Sequence, residues 1–107
     1  MREPTFLILT ALADAPRHGY GVIQEVVSLS AGRVTLLPGT LYAALDRLVA
    51  QGLVVLDREE VTDGRLRRYY RLTPDGVELA RDALARAYTP APAALARLRP
   101  DPAGGAP

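Results

Sequence analysis

The sequence predicts a mostly α-helical chain with one small β-hairpin. Apolar residues recur at helical spacing in three segments before residue 52 and in a fourth after residue 73. Between them, residues 53–57 and 65–72 have the composition of two strands, and Asp63-Gly64 is a strong hairpin signal. The second strand is rich in arginine. Helices followed by a basic two-stranded ribbon are the layout of a winged helix-turn-helix, here with an additional C-terminal helix.

Two helices are predicted in the first 30 residues. The first starts at Pro4, which suits a first helical turn because the N–H that it lacks would have no partner there. Its apolar face reaches Leu12, and residues 14–16 end it. His18 is the predicted N-cap of the second helix, which we expect over about residues 19–29.

The third helix has one apolar face and one polar face. It follows Pro38-Gly39 and ends at Gly52, a C-terminal cap glycine. Leu41, Leu45 and Leu48 fall at i, i+4 and i+7, so they predict a single buried face. The residues left on the outward face are Tyr42, Ala43, Asp46 and Arg47. Among these, Asp46 is expected to pair with a nearby arginine.

Positive charge is concentrated in the second strand of the hairpin. Residues 65–71 include four arginines and no acid, although the net charge of the whole chain is only +1. Strand alternation puts Tyr70 on the face that is expected to meet the core. Arg71 is expected to pair with Asp57 or Glu59 across the ribbon.

A fourth helix and a change of composition follow the hairpin. Thr73 is the predicted cap of a helix over about residues 74–88. Five of the nine prolines come after residue 88, and they exclude a second long helix there. We therefore expect a winged helix-turn-helix DNA-binding unit in residues 1–73, a helical C-terminal region in 74–99 and a disordered tail in 100–107.

Composition excludes several classes of site. The chain has 107 residues, no cysteine and one histidine, so disulfides and thiolate metal sites are excluded and a protein-only zinc site is not expected. No cofactor is predicted. The first apolar stretch, residues 6–9, is far shorter than the roughly 20 residues of a membrane span, and no signal peptide is expected. The prediction is a soluble cytoplasmic protein.

Three stretches of the chain resemble the PadR family of bacterial transcriptional regulators. They are residues 18–23 (HGYGVI), residues 38–48 (PGTLYAALDRL) and residues 68–73 (RYYRLT) with Gly76. Many members have proline at the position of Ala43 and an acid at that of Gly21. The resemblance implies a homodimeric winged-helix repressor that binds inverted-repeat operators and dimerises through its C-terminal helical region. It also implies that a small hydrophobic or phenolic effector is a partner to consider.

The residues proposed for each role follow from the two faces of the helices and from the ribbon. The predicted DNA-binding residues are Tyr20, Pro38, Gly39, Thr40, Tyr42, Ala43, Arg47, Arg65, Arg67 and Arg68. The predicted dimerisation residues are Phe6, Leu9, Val77, Ala80, Leu84 and Tyr88. Hydroxyls at a helix start can meet phosphates or base edges, and arginine binds phosphate or guanine with a rigid donor fork.

Each assignment has a plainer structural alternative. The outward face of the third helix can be a solvated surface, and a basic strand can be an edge that resists aggregation. The side chain of Tyr20 can pack in the core or reach a phosphate, and the fourth-helix stripe can pack within the chain. His18 is interpreted as a cap and not as a metal ligand or a pH switch.

The sequence leaves two alternatives to a DNA-binding repressor. The first is a winged-helix module whose basic ribbon docks an acidic protein partner. The second is an enzyme, which the residues do not favour. The acids of the ribbon, Asp57, Glu59 and Glu60, have no evident pocket, and no Gly-rich phosphate loop follows a strand.

Overall fold

The computed structural model describes residues 2–88, which form four helices and a three-stranded antiparallel sheet. The elements in chain order are α1 (Glu3–Ala11), β1 (Arg17–His18), α2 (Gly19–Leu29), α3 (Pro38–Ala50), β2 (Val54–Thr62), β3 (Arg65–Leu72) and α4 (Pro74–Tyr88). The mostly helical winged-helix class predicted from the sequence is confirmed. The predicted tail at 100–107, and residues 89–99 of the predicted dimerisation region, lie outside the described residues.

Hydrogen bonds at the element ends confirm the predicted caps. The His18 Nδ1 atom accepts from the N–H of Gly21 at 3.2 Å, which caps α2. Gly52 has φ +75° after α3, and the N–H groups of Gly52 and Leu53 donate to the carbonyls of Val49 and Leu48, each at 3.0 Å. This pair of bonds is a Schellman motif, which satisfies carbonyls that the helix end leaves free.

The sheet differs from the predicted two-stranded ribbon in having a third strand. β1 pairs with β3 through Arg17↔Tyr70 and His18↔Tyr69, and the strand order is β1-β3-β2. A strand of two residues is too short to show alternation in the sequence. Its partner strand lies more than 50 residues away, so no local signal predicts the pairing. β1 thereby connects the start of α2 directly to the base of the wing, as we call the β2–β3 hairpin.

β2 is longer than the predicted 53–57 segment. It continues through the charged residues to Thr62, because Glu59 and Glu60 lie opposite arginines of β3 in the ladder. The turn is therefore only Asp63-Gly64, with φ of 52° and 75°, as in a type I′ hairpin. A bulge interrupts the register between Leu56 and Arg58.

One hydrophobic core joins all four helices and the base of the sheet. Its largest fully buried side chains are Ile8, Leu9, Leu41, Leu45, Leu48, Val22, Val26 and Val54. Tyr70 and Leu72 of β3 are also buried there, as strand alternation predicted. Leu9 was predicted at a dimer surface, but it is enclosed by the core of its own chain and is not available to a second copy. Ala80 of α4 is buried in the same core. Within residues 2–88, no helix is long and apolar enough to cross a membrane.

Candidate nucleic-acid interface

The outward face of α3 is exposed along its whole length. Pro38, Gly39 and Thr40 form its first turn, and Ala43 and Arg47 continue the face toward the C-terminus. On the opposite face the three leucines of the predicted stripe are buried. Because those leucines bind α3 to the core, the exposed residues are held on a rigid element.

The ring of Tyr42 lies over the first residue of α2. It is 45% exposed, and a Cβ placed on Gly19 would come within 2.6 Å of its Cζ atom. Tyr20, the next residue of α2, is 64% exposed, so the predicted alternative in which it packs in the core is not what the structure has. The start of α2 and the exposed face of α3 therefore form adjoining surfaces.

A groove separates α3 from the wing. It is lined by Tyr42 and Asp46 of α3 and by Leu66, Arg67, Arg68 and Tyr70 of β3. Of the predicted DNA-binding residues, Tyr42, Arg67 and Arg68 are thus brought to one concave surface, whereas Gly39, Thr40, Ala43 and Arg47 line a separate groove. Among residues 2–88 Asp46 forms no ion pair, so the expected pairing with an arginine is not found in this part of the chain. Its carboxylate faces the groove that it shares with Arg67 and Arg68.

Ion pairs within the wing neutralise some arginines and not others. The Nε atom of Arg71 lies 3.2 Å from Oδ1 of Asp57, which confirms one of the two predicted pairings. Arg58 contacts Glu60 and Asp57 at 2.6 and 2.8 Å, and these hydrogen bonds raise its pKa. The guanidinium of Arg58 also lies 4.1 Å from the centre of the Tyr69 ring. The guanidinium of Arg58 is therefore paired with groups of the ribbon itself.

Arg65 and Arg67 remain as cations without a carboxylate partner within residues 2–88. Arg65 is exposed next to the hairpin turn, while the Nη1 atom of Arg67 lies 3.0 Å from Nε2 of His18. Arg68 lies 3.5 Å from Glu59 and is only loosely paired. Because Arg68 has a carboxylate within 3.5 Å and Arg65 and Arg67 have none among residues 2–88, the latter two are the better candidates to bind an anion.

Two donors point at the single imidazole of His18. Its Nδ1 receives the N–H of Gly21 and its Nε2 faces the guanidinium of Arg67. Burial and the positive charge of Arg67 both lower the pKa of His18. The neutral ring has only one acceptor nitrogen, and the charged ring has none. The arrangement therefore favours the neutral form.

Arg2 is a cation at this surface that sequence reasoning missed. It lines two shallow grooves together with Arg47, one of which also contains Gly39, Thr40 and Ala43. A single arginine before the first helix forms no sequence pattern that would predict a role in DNA binding. Its place beside α3 depends on the way in which α1 packs across the core.

A family model describes the same unit. The model of the Transcriptional regulator PadR-like family matches residues 8–82. The chain belongs to this family. The resemblance deduced from its three motifs is confirmed, and a family of transcriptional regulators confirms the prediction that the chain is not an enzyme.

Individual PadR-like proteins are similar to the chain in sequence and in structure. The transcriptional regulator Rv3488 of Mycobacterium tuberculosis is 48% identical over 69 residues, 64% of this chain and 61% of that protein. The chain thus spans about three fifths of the length of this curated relative. A PadR-like transcription factor from Bacteroides fragilis is 30% identical with a TM-score of 0.65, over 78% of each chain. Bacillus subtilis PadR in complex with operator DNA shares the fold, with a TM-score of 0.71 at 22% identity, over 86% of this chain and 51% of that one.

Proposed function

We propose that this PadR-like protein is a sequence-specific DNA-binding repressor that acts as a homodimer on an inverted-repeat operator. The observation that carries the proposal is the juxtaposition of the exposed face of α3 with two arginines, Arg65 and Arg67, that have no carboxylate partner within residues 2–88. The crystal structure of Bacillus subtilis PadR, which has the same fold, contains that protein in complex with operator DNA, and this supports a nucleic-acid partner.

In this proposal α3 enters the major groove. Its 13 residues span about 20 Å at 1.5 Å per residue, and its polar face presents Thr40, Tyr42 and Arg47. A major groove about 12 Å wide admits one helix, and side chains from its first turns reach base edges. Base contacts by Tyr42 and Arg47 would specify sequence, whereas Arg2 and the wing would hold phosphates.

The proposed dimer uses the outward side of α4. A shallow apolar groove of about 270 Å³ lies between α4, α1 and the end of β3. Val77 and Leu84 of α4 are 37% and 46% exposed at this groove, whereas Ala80 is buried beneath it. Phe6 of α1 is half-buried. In the proposed dimer a second copy covers this groove, and the two α3 helices occupy successive major grooves, which lie about 34 Å apart on DNA.

A protein partner is the second candidate, and the wing tip favours it. Val61 and Leu66 form a cross-strand pair at the tip, and both side chains are exposed, Val61 by 73%. An apolar tip beside arginines suits a protein surface that is both apolar and acidic. Binding to duplex DNA that weakens steeply with salt separates the two functions, because phosphate contacts release counterions.

The first experiment is a titration of a fluorescent duplex from the region upstream of the gene, in about 150 mM salt with random competitor DNA. A dissociation constant of about 10⁻⁸ M or lower, and a preference of at least ~10³-fold over scrambled sequence, are expected. Equal weak binding to both duplexes would contradict sequence specificity. No binding at low salt would contradict the DNA function and leave the protein partner.

The wing assignment is tested by the salt dependence. If six to eight phosphates are neutralised per dimer, log K falls with log salt with a slope of about −5 to −7. Replacing both Arg65 and Arg67 by alanine removes four contacts per dimer, so the slope should become less negative by about 3 to 4. The matched control replaces Arg58 and Arg71, which are already paired with Asp57. Equal slopes for the two double variants would contradict the assignment.

A further inference from the structure

Gly19 provides the space that the Tyr42 ring occupies. A Cβ on Gly19 would lie 2.6 Å from Cζ and 3.1 Å from Cε1 of Tyr42, and closer still to the hydroxyl oxygen. Real Cβ atoms essentially never come within 3.0 Å of another side-chain atom, as the added Cβ would with the hydroxyl oxygen and Cζ, so a larger residue at position 19 must displace the ring. The backbone of Gly19 is not in the left-handed region. The glycine is therefore required here by the neighbouring ring and not by its own conformation.

The ring that Gly19 accommodates has a central place on the proposed interface. Tyr42 is the only aromatic residue of α3 and is half exposed while one side of it covers Gly19. Its other neighbours, Arg67 and Arg68, lie across the groove between α3 and the wing. A ring pushed away from α2 would have to move toward solvent or into this groove. In either case its hydroxyl would meet a different part of a bound duplex.

We infer that Gly19 is a positioning residue for sequence selection. It does not reach the DNA itself, since it is buried under the ring; it sets the place from which Tyr42 contacts the duplex. This inference rests on the proposed DNA-binding function. It assigns specificity to a residue of α2 that carries no side chain.

The test compares Gly19→Ala with Gly21→Ala by measuring operator and scrambled-duplex affinities at several salt concentrations. Both variants add one methyl group to the first turn of the same helix. An added Cβ on Gly21 has no neighbour closer than 3.7 Å, so Gly21→Ala is the matched control. Gly19→Ala should lower the operator preference by about tenfold or more, comparable to one mismatched base pair, with the salt slope unchanged. Gly21→Ala should leave the preference within about twofold.

A double-mutant cycle with Tyr42→Ala separates positioning from general damage. Without the ring the added methyl group meets no obstacle, so in the Tyr42→Ala background Gly19→Ala should leave operator preference unchanged and should not lower the melting temperature. If Gly19→Ala alone does not fold, Tyr42→Phe with Gly19 retained is measured instead: it keeps the ring beside Gly19 and removes only the hydroxyl, and an unchanged operator preference would contradict the inference.

Two results would overturn the inference, and they differ from a failure of the proposed function. One is an unchanged operator preference in Gly19→Ala; the other is an equal loss with and without the Tyr42 ring. Both presuppose that the parent protein prefers its operator. A parent with no preference at all would instead reject the proposed function, and the positioning role with it.

Discussion

His18 connects three elements through one imidazole ring. Its Nδ1 caps α2, its Nε2 faces Arg67 of β3, and its ring meets the Tyr69 ring edge to face at 5.3 Å. The cap was predicted because it is local in sequence. The contact with Arg67 was not, because the two residues are 49 positions apart and only the pairing of β1 with β3 brings them together.

The pH dependence of stability should report on His18. Its pKa is lowered from 6.5 in the folded chain by burial and by Arg67, so the unfolded chain binds more protons in mild acid. The stability contribution of the neutral ring is therefore complete above about pH 6.5 and is lost as the pH falls through the lowered pKa. We expect the free energy of unfolding, measured by urea denaturation, to decrease between about pH 7.5 and 5.5.

The control for this measurement is His18→Asn, which retains a capping oxygen but does not titrate. Because the chain has a single histidine, the difference between the two pH profiles isolates that group. Parallel profiles for the parent and the variant would contradict the role assigned to the His18 contacts.

At the scale of elements, local signals predicted the helices well and the sheet less well. The fourth helix begins at Pro74 and ends at Tyr88 as predicted, because Thr73 and Pro74 are recognisable start signals. The extent of β2 was underestimated since its charged residues are typical of a loop. Their pairing with β3 arginines keeps them in a strand.

The start of α4 is joined to the end of α3 by a small network. The Thr73 hydroxyl donates to the carbonyl of Gly52 at 2.6 Å and accepts from the N–H of Gly76 at 3.1 Å. The Thr73 N–H donates to the carbonyl of Leu53 at 3.0 Å. Gly76 packs directly on that carbonyl group, and an added Cβ would lie only 3.1 Å from its carbon and closer to its oxygen.

Gly76→Ala should consequently destabilise the fold, because backbone atoms of α4 and Leu53 must separate. A loss of about 1–3 kcal/mol in the free energy of unfolding is expected, as for other overpacked sites. Gly39→Ala is the control: an added Cβ there has no neighbour within 4 Å, and alanine in a helix is favoured by about 0.5–1 kcal/mol. Urea denaturation of both variants distinguishes them, and a stable Gly76→Ala would contradict the packing described.

At the scale of the whole molecule, residues 2–88 leave an apolar groove open beside α4. The core encloses Ala80 of α4 but leaves Val77 and Leu84 at the groove beside α1. Neighbouring apolar side chains left exposed on a regular helix are typical of an association surface. In the proposed dimer, Ala80 of α4 therefore packs in the core of its own chain, while Val77 and Leu84 contact the second copy.

Val77→Asp should weaken the proposed dimer without unfolding the chain, because the side chain is already partly exposed. The average mass measured by sedimentation equilibrium should fall toward that of a monomer, and operator affinity should fall with it. Val61→Asp introduces the same charge at an exposed valine of the wing tip, outside the proposed interface, and should leave the mass unchanged. A dimer of equal strength in both variants would place the interface elsewhere.

The sequence by itself determined whatever depends on near neighbours. Helix starts and ends, the Asp63-Gly64 turn, the buried leucines of α3 and the arginine-rich strand are all encoded within a few residues, so composition and spacing suffice to predict them. Tertiary structure alone decided which apolar residues of a stripe are enclosed and which remain exposed. It also decided the third strand and the approach of Tyr42 to Gly19, because such contacts join residues that are distant along the chain and depend on the packing of whole elements.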